Sequence, residues 1–471
     1  MSARAVSSQA ASPDFLPRRV AVLGFERSGR ALADALLSRG VSVTVGDRRD
    51  ASEFPGLAPF RERGARFFFG GPPDSFLEGA EWLAISPGVP LDSPAVAAAR
   101  SRGIRVLAEV EIAWRIAEAE SAGRNRWIAV TGTNGKSTTT SWIADMLERA
   151  GRRVALAGNI GAPLSGFLGE PRGRDFVCEV SSFQLEAVER FRADVAVLTN
   201  VTPDHLDRYP SFAAYASAKA RLFALQGSDG VAVVNADDPA SALVPIRARR
   251  VLFSRRGRPA GAERGAWIED GAIWTDAAGE ARRVLEAARL SLPGAHNTEN
   301  ALAAVAAAAS AGVSDEVMRA SLTEFRGLPH RTQLVAEGGG VRWVDDSKGT
   351  NVDAAAKSLE GFAPQTVLLI LGGRDKHGDF QALRPLVQRA ARRVLTIGEA
   401  ADAIETALAG AAQIERCETM QRAVSRAAAL ARPGDTVLLS PACASFDQYR
   451  NYEERGDHFA RLAREAASRA H

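Results

Sequence analysis

The sequence predicts an α/β protein built as three consecutive α/β domains: a Rossmann-like N-terminal domain, a P-loop-type central domain and a Rossmann-like C-terminal domain. Three observations predict it. The chain has 471 residues, too many for one core at about 150 residues per domain. Short apolar runs alternate with segments of helical period along its length. Two glycine turns, Gly24-Phe-Glu-Arg-Ser-Gly29 and Gly132-Thr-Asn-Gly-Lys-Ser137, each follow an apolar run and open a helix.

In chain order, residues 1–17 are Ser/Ala-rich and expected to form a flexible tail, with no apolar stretch long enough for a signal peptide. The N-terminal domain is placed at 18–117. Its first strand, Arg19 to Gly24, runs into the glycine turn and a helix to about Arg39, and a second strand, Val41 to Val45, ends at Asp47. An acid about 20 residues after such a turn can hydrogen-bond a ribose; the same pattern also suits a βα turn that binds nothing. A later strand, Trp82 to Ile85, delivers Ser86-Pro-Gly88 to the same sheet edge. The central domain, 118–328, carries the phosphate-type loop, strands ending near Val180, Thr199 and Val234, and an alanine-rich helix after Asn297. Gly327-Leu-Pro-His330 reads as a linker. The C-terminal domain, 329–471, has strands near Trp343, Thr366–Leu371, Val394–Ile397 and Thr436–Leu439.

Composition narrows the function. With 46% hydrophobic and 24% charged residues and a net charge of +3, the chain has the profile of a soluble globular protein and lacks the basic excess of a nucleic-acid binder. The alanine-rich run at 301–309 is too short to span a bilayer. Cys178, Cys417 and Cys443 are few, odd in number and far apart, which predicts free thiols and a reducing, cytoplasmic setting. The expected partners are small molecules.

The loop at 132–138 carries the first chemical signal. Gly132 and Gly135 let backbone N–H groups converge on phosphate oxygens, and the helix N-terminus adds positive potential. Lys136 can reach the β/γ-phosphates and Ser137 can ligate Mg²⁺. ATP is therefore the predicted cofactor, with Thr133, Asn134 and Thr138 completing the cradle. Phosphate chemistry also needs hard oxygen or imidazole ligands. Glu179 and His205, each directly after an apolar strand, are the candidates, with Asp204 and Asp207 adding negative potential.

Only Thr133 and Asn134 separate the first glycine from Gly-Lys, where an ordinary P-loop has four residues. Gly-Thr-Asn-Gly-Lys-Ser-Thr resembles the loop of the Mur ligases and folylpolyglutamate synthases. Gly158-Asn-Ile-Gly161, Glu179-Val-Ser-Ser-Phe-Gln184 and Asn200-Val-Thr-Pro-Asp-His205 occur in the order of the Mur ligase central domain, and the resemblance covers almost all of the chain after residue 17. It implies that Glu179 and Ser137 hold one Mg²⁺, that His205 helps hold a second, and that Lys219 carries a carbamate able to ligate metal. It further implies that Asn300 and Arg331 meet ATP.

Val344-Asp-Asp-Ser-Lys-Gly-Thr-Asn351, Leu371-Gly-Gly-Arg-Asp-Lys376 and Ser440-Pro-Ala-Cys-Ala-Ser-Phe-Asp-Gln448 resemble the family member that adds D-glutamate. By that likeness Asp346 contacts the nucleotide, while Lys348, Thr350, Lys376, Ser445, Phe446 and the backbone near Tyr452 receive the dicarboxylate. Gly349 and Phe446 stand where alanine and leucine are expected. Gly24, Phe25, Ser28, Gly29, Asp47, Arg48, Arg49, Ser86 and Gly88 would form a uridine-nucleotide site, with Asn159 facing the substrate across the domain boundary. The implied reaction joins D-glutamate to UDP-N-acetylmuramoyl-L-alanine through an acyl phosphate, in peptidoglycan precursor synthesis, by a monomer. Two rivals stay open on the sequence: a ligase of the same fold with another acceptor or amino acid, and a nucleotide-binding protein that senses the precursor without catalysis.

Overall fold

The computed structural model describes residues 15–169, 173–206, 208–242, 244–292, 294–376 and 378–469. Most of the expected tail, residues 1–14, and Asp207 lie outside them. Phe15 and Leu16 pack against the first apolar core.

Three sheets follow one another along the chain. The first is wholly parallel, in the order Arg66–Phe68, Ser42–Gly46, Arg19–Leu23, Trp82–Ile85, Arg105–Ala108. Val20 and Val22 enter one core and Ala21 and Leu23 another, as a sheet covered on both faces requires. The chain first builds outward on one side of Arg19–Leu23 and then crosses to the other. That leaves a crevice between the C-terminal ends of Arg19–Leu23 and Trp82–Ile85, where ligands of open α/β sheets collect.

The central sheet has nine strands. Arg126–Thr131 lies between Asp175–Glu179 and Val195–Leu198, all parallel. This brings the turn at Gly132, the end of the Glu179 strand and the segment at Thr199–Asn200 to one edge. Helices Lys136–Arg149 and Ala295–Ser310 cover one face, and Ala301 to Ala309 are buried there, their small side chains letting the two helices approach closely. Beyond the parallel strands, Gly265–Glu269, Ala272–Thr275 and Arg282–Glu286 extend the sheet as an antiparallel meander that the sequence reading did not predict.

The third sheet runs Gln333–Gly338, Val341–Asp345, Thr436–Leu439, Val367–Gly372, Ala391–Ile397, Gln413–Glu418, with only the first strand antiparallel. Its carboxyl edge faces the central sheet's phosphate-type loop. Arg455, on the helix Tyr452–Ser468, is 1% exposed and braces this edge by donating to the carbonyls of Ser347, Cys443 and Ala444. All three cysteines are buried free thiols. No helix among the described residues is long and apolar enough to cross a membrane.

Candidate active site

The loop after Arg126–Thr131 depends on its glycines. Gly132 and Gly135 have φ of 144° and 80°, and a Cβ on them would come within 2.0 Å of Thr199 Oγ1 and 2.1 Å of Asn300 Oδ1. Thr133 N donates to Asn200 O at 2.8 Å and Asn134 N to Asn200 Oδ1 at 2.9 Å, which fixes the loop from below. The helix that starts at Lys136 has no side-chain cap on its first amides. Uncapped N–H groups at a helix N-terminus are an anion cradle. Lys136 Nζ donates to Thr133 O at 2.7 Å, and burial together with Arg331 lowers its pKa despite the carboxylate of Glu179.

Glu179 and Ser137 meet directly: Ser137 Oγ donates to Glu179 Oε2, Asn159 Nδ2 to Glu179 Oε1 at 2.7 Å, and Arg331 Nη2 to Ser137 Oγ at 2.7 Å. Burial alone would push the Glu179 carboxyl up, but Lys136, Lys348, Asn159 and Ser137 hold it below its ordinary range. Among the described residues no group of three or more His, Cys, Asp and Glu side chains forms a metal cage. An ionised carboxylate against a hydroxyl at a phosphate cradle is nevertheless a fitting donor pair for Mg²⁺, which keeps waters and takes phosphate oxygens for its other ligands.

Lys219, on the helix Phe212–Ala224, is 1% exposed. Its Nζ donates to Gly132 O at 2.6 Å and lies 4.4 Å from the Tyr215 ring centre. Burial, helped by Lys136, drives its pKa well below the usual lysine value. His205 sits at φ 55°, a conformation a non-glycine residue keeps only under constraint. Its ring meets Phe183 edge-on at 4.8 Å.

Across the cleft, the third sheet supplies the other half. Asp346 accepts from Ser358 Oγ at 2.5 Å, Ser440 Oγ at 2.7 Å and Thr332 N at 3.2 Å, and burial raises its pKa to about 6. Lys348 Nζ lies 3.7 Å from the Tyr452 ring centre, and burial beside Arg331 lowers its pKa to about 8. Lys376 Nζ donates to Asp204 Oδ1 at 3.2 Å. Arg331 stands between His330 and Thr332, both at positive φ, so the linker makes a fixed bend there.

The two halves close on one cavity of about 430 Å³. From the central sheet it is lined by Thr133, Asn134, Gly135, Lys136, Thr138, Asn159, Glu179, His205, Lys219 and Asn300. From the other side come Arg331, Asp346, Lys348, Thr350, Lys376 and Phe446. Gly132 and Ser137 support the lining through the bonds given above, while Ser445 is buried and outside it.

The N-terminal residues gather elsewhere, in the crevice of the first sheet. Gly24 has φ 89°, and Ser86 Oγ donates to its carbonyl at 2.9 Å. A Cβ on Gly29 would lie 1.9 Å from Gly24 O. Asp47 accepts from Phe25 N at 2.8 Å and from Arg49, which overcomes the effect of burial and keeps its pKa low. The Phe25 ring is buried among Phe54, Phe60 and Phe67, so only its backbone faces the turn. Arg48, Ser28 and Gly88 lie at the rim, with Arg48 and Gly88 exposed.

The structure adds residues that the sequence reading did not assign. Asp353, in the first turn of the helix Val352–Glu360, accepts from Asn134 Nδ2 and from Thr202 Oγ1 at 3.0 Å. Asn351 caps that helix and donates to Asp204 Oδ2 at 2.9 Å. Asn351 closes the Asp-Ser-Lys-Gly-Thr-Asn motif, so its neighbourhood carries a signal; the pairing of Asp353 with Asn134, far away in sequence, does not.

Comparison with known proteins agrees with this geometry. Residues 18–108 match the Mur ligase MurD-like N-terminal domain, 130–308 the Mur ligase middle domain and 330–443 the Mur ligase glutamate ligase domain. The chain is 47% identical to the UDP-N-acetylmuramoylalanine--D-glutamate ligase of Anaeromyxobacter dehalogenans, covering 97% of this chain and 100% of that one. It is 44% identical to the enzyme of the same name from Acidobacterium capsulatum, covering 94% and 96%. Among solved structures, a pseudomurein peptide ligase type C from Methanothermus fervidus shares the fold with a TM-score of 0.61 at 19% identity, covering 97% and 100%. MurF ligase from Thermotoga maritima in complex with ADP does so at 0.60 and 16%, covering 91% and 96%. With three domain matches in order and relatives this similar over nearly its whole length, the chain belongs to the Mur ligase family.

Proposed function

We propose that this protein is an ATP-dependent ligase that joins D-glutamate to the alanyl carboxylate of UDP-N-acetylmuramoyl-L-alanine, a cytoplasmic step of peptidoglycan precursor synthesis. The observation that carries the reading is the single cavity in which a phosphate cradle, Gly132 to Thr138, faces two lysines, Lys348 and Lys376, from the opposite sheet. One side suits a triphosphate and the other a doubly charged amino acid. The names of the relatives at 47% and 44% identity supply the same substrates.

On this reading the domains are 18–117 for the uridine precursor, 118–328 for ATP and 329–471 for glutamate, acting as a monomer. The precursor carboxylate attacks the γ-phosphorus of ATP and ADP leaves, giving an acyl phosphate. The glutamate amine then attacks the acyl carbon, loses a proton and expels phosphate. Lys136 and Arg331 neutralise the triphosphate, and Asn300 and Asp346 hold the nucleoside end. Lys348, Lys376, Thr350 and Phe446 orient glutamate so that its amine, not water, reaches the acyl carbon. Mg²⁺ held at Ser137 and Glu179, and at His205 with a carbamylated Lys219, would supply further charge neutralisation. The depressed pKa of Lys219 favours the neutral amine that carbamate formation needs.

Phosphate release from ATP and Mg²⁺ with the precursor tests the proposal, comparing D-glutamate, L-glutamate and no amino acid. Release that requires D-glutamate, with an amide product of the expected mass, is the predicted result. Release with L-glutamate alone, or with neither, overturns it.

A further inference from the structure

We propose that Arg208 is a positioning residue that ties the precursor-binding turn of the first sheet to the His205 loop of the catalytic cavity, so that the precursor carboxylate is delivered in register with the γ-phosphate. The inference rests on the function proposed above and extends it to a residue that neither phosphate nor amino-acid chemistry assigns.

Arg208 follows His205 closely, and its backbone N–H donates to His205 O at 3.0 Å. Its side chain leaves the central domain. Nη1 donates to Pro87 O at 3.0 Å and Nη2 to Val89 O at 3.3 Å, carbonyls of the turn whose Ser86 closes onto Gly24. The same Nη2 donates to Glu186 Oε2 at 3.2 Å, and the guanidinium carbon stacks 3.9 Å from the centre of the Phe183 ring. Phe183 in turn meets His205 edge-on, and both line the cavity. With 19% of its side chain exposed, Arg208 bridges the two domains largely out of solvent.

Only a planar guanidinium can stack on one face while its edge donates to three oxygens in two domains. A lysine can supply the charge and the reach but not both geometries. The turn at Ser86–Val89 and the loop at His205 therefore share one rigid connector, and a shift of either by even an ångström would misplace the acceptor carboxylate.

Steady-state kinetics of Arg208→Lys, Arg208→Ala and Glu186→Gln beside the native enzyme test this. The Km for the uridine precursor is expected to rise roughly tenfold in Arg208→Lys, the scale of a lost charged hydrogen bond. It rises further in Arg208→Ala and less in Glu186→Gln, with kcat reduced in each. The Km values for ATP and glutamate are expected to stay within about twofold, a split that loss of a purely structural contact would not give. Arg208→Lys with native precursor Km and kcat overturns the proposal, as does a uniform rise in all three Km values. Should Arg208→Ala fail to fold, the other two variants decide. A native enzyme that does not turn over the precursor refutes the function itself, and this inference with it.

Discussion

The catalytic cavity and the crevice of the first sheet treat charge in opposite ways. In the cavity, burial pushes amines toward neutrality: Lys136 is lowered, Lys219 well lowered and Lys348 brought to about 8. In the crevice, Asp47 and Arg49 reinforce each other, the carboxyl held low and the guanidinium held high, and Arg49 also pairs with Glu26. Desolvated charge in the cavity is relieved when a ligand of opposite sign arrives. The crevice has already satisfied its charges and offers a shaped backbone turn. Changes in the cavity should therefore strike turnover or the affinity for ATP and glutamate, and those in the crevice precursor affinity.

The largest effect is expected at Lys136. Lys136→Ala removes the ammonium aimed at the phosphates, and kcat should fall by about a hundred- to a thousandfold. Calorimetric binding of the precursor should be unchanged. Lost precursor binding would break the comparison, because it would make the two regions one thermodynamic unit.

The cavity's local signals were legible in the sequence because strand, glycine turn and helix are neighbours along the chain. Lys136 and Ser137 open the helix after the glycine turn and Glu179 ends its strand, places where a ligand must be, and could be named from spacing. Contacts between distant segments could not. Asp353 meets Asn134, and Arg208 meets Pro87, through folding of separate domains. Phe25 shows the reverse failure: it lies inside a turn that reads as ligand-facing, yet its ring is core. Loop residues have no periodicity to say which way they point. The antiparallel meander at 265–286 was missed because short strands after an open parallel sheet carry little pattern of their own.

A pH profile sharpens the contrast. Lys348, with its pKa near 8, loses its proton as pH rises through that value, and the neutral amine no longer pairs with a carboxylate. The Km for glutamate should climb above pH 8, while the Km for the precursor, bound where Arg49 stays charged, should remain flat across the same range. A parallel rise in both would remove Lys348 as the cause.

A smaller effect belongs to the crevice. In Asp47→Asn the amide oxygen can still accept from Phe25 N, but the ion pair with Arg49 is lost, leaving that guanidinium held only by Glu26 and the face of Phe54. The precursor Km should rise severalfold, within the roughly 1–3 kcal/mol cost of a broken buried partner, at unchanged kcat. A drop in kcat with constant Km would place Asp47 in the chemistry and collapse the distinction.

The smallest effect is expected at Gly349, which stands where the family resemblance leads one to expect alanine. Its φ is not in the left-handed region, so backbone strain does not demand glycine. A Cβ there would nonetheless come within 2.7 Å of Asp346 Oδ2 and 2.9 Å of Ser440 Oγ. The Asp346 backbone oxygen is a third neighbour at 3.0 Å, so the two side-chain atoms would have to shift, and the Ser358 and Ser440 hydroxyls that hold Asp346 would have to follow. Overpacking of this kind costs about 1 kcal/mol when neighbours can yield, so Gly349→Ala should raise the Km for ATP by roughly fivefold at most. The Km values for precursor and glutamate should hold. A loss as large as that of Lys136→Ala would mean that the Asp346 carboxyl is as tightly placed as the phosphate cradle, and that the cavity tolerates no adjustment on its nucleoside side.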